Sequence, residues 1–265
     1  MNYLKSLLGN IQSKMSNMDK GGKRIIYLAS YPKSGNTWLR FILGHYLSED
    51  KVDFSNCHKI IPDFDANPQD IALVKNNPVF AKSHSSYQPD FKKAIYIYRD
   101  GRDVSVSYFY HLKGKKTFAQ NVLFPEFFWD YFMTGKVFCG DWGKHVESWL
   151  DQAGNDILFT SYEKLKNDTF GQMKRLLQFS GVIIDPNRLK QAIDNSSVTE
   201  MSNAEKKHKE KYGTYSLEQK TTFAEDFNFV RKGVVGDWRS YYDEKMLKAF
   251  EEKYGSLMRR LNYEI

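Results

Sequence analysis

Only two cysteines, Cys57 and Cys139, occur in 265 residues, and neither stands in a CxxC pair. They lie far apart, which argues against a disulfide scaffold or a thiolate zinc site and predicts free thiols in a reducing, cytoplasmic setting. No stretch approaches the roughly 18 apolar residues that span a bilayer, so no integral membrane segment is expected. The opening MNYLKSLLGNIQSKMSNMDKGGKR breaks its apolar runs at Lys5, Gly9 and Asn10 and lacks a signal-peptide core. No carboxylate or His/Cys cluster is arranged to bind a metal, so none is expected. RNP, KH and zinc-finger patterns are missing too, and no nucleic-acid partner is expected. The net charge of +7 suits an anionic ligand. The basic residues Lys113, Lys115, Lys116 and those of 206–211 read as a solvated surface.

Apolar and aromatic residues, by contrast, are plentiful, at 41% and 15% of the chain. That is enough core for one domain of this length. Four runs predict strands: 24–30 (RIIYLAS), 78–82 (PVFAK), 94–98 (AIYIY) and 156–162 (DILFTSY). The first is apolar without alternation, as a strand buried on both faces should be. Helices are predicted over 37–47, 103–112, 118–138 with a break near Pro125, 165–179 closed by Gly181, 187–195 and 243–261. This alternation predicts an α/β fold: a single P-loop-like three-layer domain, a parallel β-sheet flanked by helices. Ligands in such sheets bind beyond the carboxyl ends of the strands. Residues 24–265 form that domain. Residues 1–23 form an N-terminal extension in which Leu4, Leu7, Leu8 and Ile11 share a helical face. The stretch 201–228, rich in Lys and Glu and poor in aliphatics, predicts a mobile loop or lid near 201–230.

Between the first strand and the first helix lies YPKSGNTW, residues 31–38. A loop there presents free backbone N–H groups and the positive end of a helix dipole to an anion. Gly35 lets the backbone approach a phosphate closely. Ser34 and Thr37 offer hydroxyl donors, and Lys33 supplies a full charge. Aligned with the nucleotide triphosphatase loop GxxxxGK[ST], Asn36 falls where the lysine belongs and the charge sits three residues earlier. A P-loop-type small-molecule kinase is therefore the weaker alternative, and a 5′ substituent other than a triphosphate is expected.

YPKSGNTWLR resembles the 5′-phosphosulfate loop of sulfotransferases that use 3′-phosphoadenosine-5′-phosphosulfate (PAPS). Three further segments agree in order. YRDGRDVSVSY, residues 98–108, is similar to the family's 3′-phosphate segment, which assigns Arg99 and Ser107 to that phosphate. An arginine fork suits phosphate oxygens; the plainer reading of Arg99 is an ion pair with Asp100 or Asp103. RKGVVGDWR, residues 231–239, resembles RKGxxGDWK and adds Arg231, Lys232 and Gly233, with Arg239 in place of the terminal lysine. AKSHSSY, residues 81–87, resembles the KTHLP stretch and implies His84 as catalytic base and Lys82 beside it, with Ser83 for Thr and Ser-Ser for Leu-Pro. SYEKL and NSSVTEM are similar to adenine-side segments. They assign Tyr162, Ser196 and Val198 to the base, with Trp38 packed against it.

The resemblance implies transfer of a sulfuryl group from PAPS to a hydroxyl or amine of a small-molecule acceptor, releasing adenosine 3′,5′-bisphosphate (PAP). Its catalytic set is His84, Lys33 and Lys82. Its donor-binding set is Lys33, Ser34, Gly35, Asn36, Thr37, Trp38, Arg99, Ser107, Tyr162, Ser196, Val198, Arg231, Lys232 and Gly233. A neutral histidine near pKa ~6.5 suits a base at neutral pH. Phe109, Tyr110, Phe124, Phe127, Phe128, Trp129 and Tyr131 are candidates for the acceptor pocket or for core. The short chain and trimmed loops are more like bacterial or natural-product enzymes than animal hormone or phenol enzymes. Oligomeric state is left open.

Overall fold

The computed structural model describes residues 22–115, 119–152, 154, 156–216 and 221–265. Leu4, Leu7, Leu8 and Ile11 of the expected N-terminal helix lie outside them. The order is β1 (Ile25–Ser30), α1 (Asn36–Leu47), α2 (Cys57–Ile60), β2 (Val79–Ser83), β3 (Ala94–Tyr98), α3 (Gly101–Gly114) and α4 (Phe124–Phe127). Then come α5 (Trp142–Leu150), β4 (Ile157–Ser161), α6 (Tyr162–Asn167), α7 (Thr169–Ser180), α8 (Pro186–Asp194), α9 (Val198–Tyr212), β5 (Tyr215–Ser216), β6 (Thr221–Thr222) and α10 (Glu244–Arg260).

β1 to β4 form one parallel sheet in the order β2-β1-β3-β4. Alternate residues of β1 feed two cores, as a strand's period of two requires. Ile26 and Leu28 pack with Leu39, Leu43, Leu177 and Leu189 from α1, α7 and α8. Tyr27 and Ala29 face Val104, Trp149 and Phe250 from α3, α5 and α10. Helices thus cover both faces, giving the three layers expected.

Three expectations are corrected. The 165–179 helix is two helices, broken at Asp168, whose carboxylate accepts from the Gly171 N–H at 2.9 Å and caps α7. Within 118–138, the described residues hold only one α-turn, begun at Phe124-Pro125, and then a π-helical turn at Phe128–Phe132. Phe124, Phe127 and Phe128 are buried there, so aromatic packing overrides helix propensity. The stretch expected as a loop from 201 is instead the larger part of α9, capped by the Ser197 hydroxyl on the Glu200 N–H, followed by the β5–β6 ribbon. Most of its lysines and glutamates are exposed on a helix while Glu205 is buried, a distinction that composition alone cannot make.

Candidate active site

β1 leads into the turn at 31–35. Gly35 takes φ +99°, and a Cβ there would sit 2.6 Å from Tyr162 Cδ2. Only glycine fits both the left-handed backbone and the approach of that ring. Asn36 Nδ2 donates to the Leu28 carbonyl at 2.8 Å and to Ser30 Oγ at 3.2 Å, tying the turn to the strand it leaves. The side chain standing where a triphosphatase places its lysine is therefore committed to the sheet. Lys33 is itself left-handed at φ 70°, a conformation that costs a non-glycine residue on the order of 1 kcal/mol. The turn carries its main charge on a strained residue.

A cavity of about 850 Å³ opens beyond the strand ends. Lys33, Gly35, Asn36, Thr37, Trp38, Lys82, His84, Arg99, Ser107, Tyr162, Val198, Arg231, Lys232 and Gly233 all line it. Two of the expected donor residues do not. Ser34 is fully buried, with a hydroxyl that finds no partner among the described residues. Ser196 is fully buried as well: its Oγ donates to the Ala192 carbonyl at 2.8 Å and lies 3.1 Å from His45 Nδ1, while its own carbonyl accepts from Trp38 Nε1. Ser196 positions Trp38; its side chain does not face the cavity.

His84 follows β2 directly. Its Nδ1 lies 2.8 Å from the Ser30 carbonyl, which can only accept, so Nδ1 carries the hydrogen and Nε2 is left with its lone pair. The backbone is held on both sides. The His84 N–H donates to Asp65 at 2.5 Å, and its carbonyl accepts from His145 Nε2 at 3.0 Å and from Cys139 Sγ at 3.2 Å. His145 Nδ1 then accepts from the Tyr96 hydroxyl at 2.9 Å. Burial, with the Lys82 charge adding to it, holds the His84 imidazolium well below its ordinary value. The ring is neutral at pH 7 and free to accept a proton.

The cavity is rich in cations. Burial first, then Arg99, Lys115 and Arg231, pulls Lys33 down to about 7, with Glu205 opposing them. Its Nζ stands 4.6 Å over the Phe229 ring. Lys82 is ion-paired with Asp63. Arg99 is buried, stacks 4.4 Å over Tyr162, and donates to the Val234 carbonyl at 2.8 Å and to Asp103 at 3.3 Å. Its plainer reading as an ion pair with Asp103 is therefore met, but inside the cavity wall, while Asp100 pairs with Arg102. Arg99 Nε has no partner among the described residues. Repelling cations, an unpartnered guanidinium nitrogen and a glycine turn make a site suited to a ligand with several negative charges.

Sequence reading missed the other end of the cavity. Tyr108, His111, Leu112, Lys115 and Phe138 line the same cavity, as do Asp63, Asp65 and Asn67. Lys115, expected to be solvated, is half-buried here. The signal was available: positions 108, 111 and 112 recur at helical spacing from Ser107 on one face of α3, and 115 continues that spacing just past its end. None of the aromatic candidates at 109, 110, 124, 127, 128, 129 and 131 lines the cavity; all pack in or against the core. Among the described residues no group of His, Cys, Asp and Glu is placed to hold a metal ion. No helix among them is long and apolar enough to cross a membrane.

Comparison with known proteins agrees with this geometry. The sulfotransferase domain family model matches residues 23–262. Rat Sulfotransferase 1E1 is 30% identical over 251 residues, covering 86% of this chain and 81% of its own. Human Sulfotransferase 2A1 is 29% identical over 255 residues, with coverage of 89% and 86%. The fold matches that of mouse sulfotransferase SULT7A1 complexed with PAP (TM-score 0.68, 23% identity, 89% and 85% coverage). It also matches retinol dehydratase in complex with androsterone and PAP (TM-score 0.71, 20% identity, 96% and 86% coverage). These matches do not favour the kinase alternative. The chain belongs to the sulfotransferase family and is a PAPS-dependent enzyme of sulfuryl transfer.

Proposed function

We propose that His84 is the base that deprotonates a small acceptor's hydroxyl or amine, while 31–38, Arg99, Ser107 and 231–233 hold the two phosphate-bearing ends of one PAPS molecule. The donor supplies an activated sulfuryl group on its 5′-phosphate. His84 Nε2 takes the acceptor proton as the acceptor atom bonds to sulfur and the bridging S–O bond breaks toward phosphate. Lys33 and Lys82 face the same space and offset negative charge on the sulfuryl and leaving oxygens. Stabilisation of developing charge by preorganised groups is often the largest catalytic contribution. Thr37 and the N–H groups of the α1 turn hold the 5′-phosphate.

Arg99, Ser107, Arg231 and the Lys232-Gly233 backbone hold the 3′-phosphate. Tyr162, Trp38 and Val198 flank the base. The observation that carries the reading is the meeting of three remote segments on one cavity with a neutral histidine in its wall. Cys57 and Cys139 form no disulfide among the described residues, which suits a cytoplasmic location.

The test uses PAPS carrying labelled sulfate and a panel of phenols, alcohols and amines, with wild type beside His84→Ala. Labelled product from the wild type alone, with PAP binding kept in both, is the expected result. Equal turnover by the variant removes His84 as the base.

A further inference from the structure

The acceptor end of the cavity contains more positive charge than the donor-binding groups require. α3 lines the cavity from Ser107, assigned above to the 3′-phosphate, through Tyr108, His111 and Leu112, and Lys115 follows its last residue. His111 is 8% exposed, and its Nδ1 finds no partner among the described residues. Aromatic rings surround it: Phe223, Phe227 and Phe229 lie 5.6 to 5.9 Å away. That buried nitrogen costs desolvation free energy while it stays unpaired. Lys115 makes no ion pair among the described residues, although it is half-buried.

The neighbouring carboxylates are committed elsewhere. Asp63 pairs with Lys82. Asp65 accepts from the Ser83 and Ser85 hydroxyls at 2.8 and 2.9 Å and from the His84 N–H. Glu205 accepts from the Phe229 and Val230 N–H groups at 2.6 and 3.0 Å. His111 is close enough to Lys33, Lys115, His84 and Lys82 for all four to oppose its protonation. A neutral imidazole and an ammonium with no ion pair among the described residues, both lining the cavity, are a hydrogen-bonding and charge-pairing set for an anion.

We infer that the acceptor carries its own anionic group, a carboxylate or its equivalent, which pairs with Lys115 and hydrogen-bonds to His111 while the nucleophilic hydroxyl or amine reaches His84. This rests on the sulfotransferase reading and names the substrate class for that same site. The physical demand is plain. An anionic acceptor meeting an anionic donor is repelled unless the same cavity holds a further cation without an ion pair. Lys115, eight residues on from Ser107 and just past the end of α3, is such a cation.

The experiment uses matched acceptors differing only in charge: hydroxyphenyl, hydroxymethylphenyl and hydroxycyclohexyl compounds, each as an acetate and as the uncharged acetamide. Sulfated product is measured with labelled PAPS, and PAP binding is followed by calorimetry. The wild type should favour the carboxylate in at least one pair by about tenfold or more in kcat/KM, as a charge-assisted hydrogen bond predicts. Lys115→Met should bring that ratio close to one with PAP affinity unchanged. Lys115→Arg should retain the preference, and His111→Phe should weaken it partly.

Turnover of the amides with no carboxylate preference in any pair overturns the inference and leaves the sulfotransferase reading intact, as does PAP binding with no turnover of any carboxylate. An equal kcat loss for both members of a pair in Lys115→Met assigns Lys115 to the sulfuryl group and also overturns it. Failure to bind PAP at all removes the underlying reading instead.

Discussion

The turn after β1 is braced from behind by the sheet, whereas the 229–238 segment across the cavity hangs on side chains. The first is held by Asn36 on the Leu28 carbonyl and Ser30, and by a backbone geometry at Gly35 that only glycine satisfies. The second has no strand to lean on. Asp103 accepts from the Gly236 and Trp238 N–H groups at 2.8 and 3.1 Å. Glu205 accepts from Phe229 and Val230 N–H, Arg99 donates to the Val234 carbonyl, and Lys166 donates to the Gly233 carbonyl. Asp237 meanwhile pairs with Arg231 at 2.7 Å and with Lys232 at 2.8 Å. A phosphate taken by Arg231 must compete with Asp237, and the loop can rearrange when it does. Under the proposed function, one wall is built before the ligand arrives and the other is completed around it. That is the pattern expected where one site must hold its reacting groups rigidly yet admit and release a bulky nucleotide.

Substitutions can break this contrast, and the most damaging should lie in the braced half. His84→Ala should lower kcat by about a thousandfold or more while PAP still binds, since general-base catalysis contributes roughly 10² to 10⁴; single-turnover transfer checks it. Gly35→Ala puts a Cβ against Tyr162 in a left-handed backbone. PAP affinity should fall by about a hundredfold, with a lower melting temperature, as a strained position combined with a clash costs several kcal/mol. In the hanging half the effect should be smaller. Asp103→Asn should weaken PAP by about tenfold with kcat nearly kept, because it loosens the 231–238 loop and not the chemistry. Equal loss of kcat in Asp103→Asn would remove the distinction between the halves.

A subtler effect concerns Lys33. With its value near 7 in the free protein, it is mostly neutral at pH 8. An anionic donor favours the ammonium and raises that value, so binding at pH 8 takes up a proton and affinity declines as pH rises above 7. Calorimetry in two buffers of different ionisation heat should show the uptake in the wild type and its loss in Lys33→Met.

The same two halves differ in how far the sequence revealed them. The braced half was legible, because a buried apolar strand, a glycine turn and a helix start are local features. β1, β3, α1 and the cavity position of Lys33 are where those features place them, while His84, Arg99 and, in the hanging half, Arg231 line the cavity at positions that only the family resemblance picked out. Ser34 and Ser196 show the limit: both sit beside residues that face the cavity, yet their side chains turn inward, a choice made by packing and not by motif. The far half was poorly legible because its groups act through tertiary contact. The lysines and glutamates of α9 look like a solvated loop until Glu205 is seen accepting from 229–230. Lys115 looks like surface until α3 is seen lining the cavity. The aromatic run at 124–131 read as either acceptor pocket or core and packs in or against the core, since nothing in ring composition reports which side the rings face.

The direct measurement is the affinity of PAP against adenosine 5′-monophosphate, which lacks only the 3′-phosphate, in the wild type and in Arg99→Ala. The account predicts that PAP binds about a hundredfold more tightly or better to the wild type, from several charge-assisted hydrogen bonds to that phosphate, and that Arg99→Ala removes most of the difference. Equal binding of the two nucleotides to the wild type would contradict a single site that grips both ends of one donor.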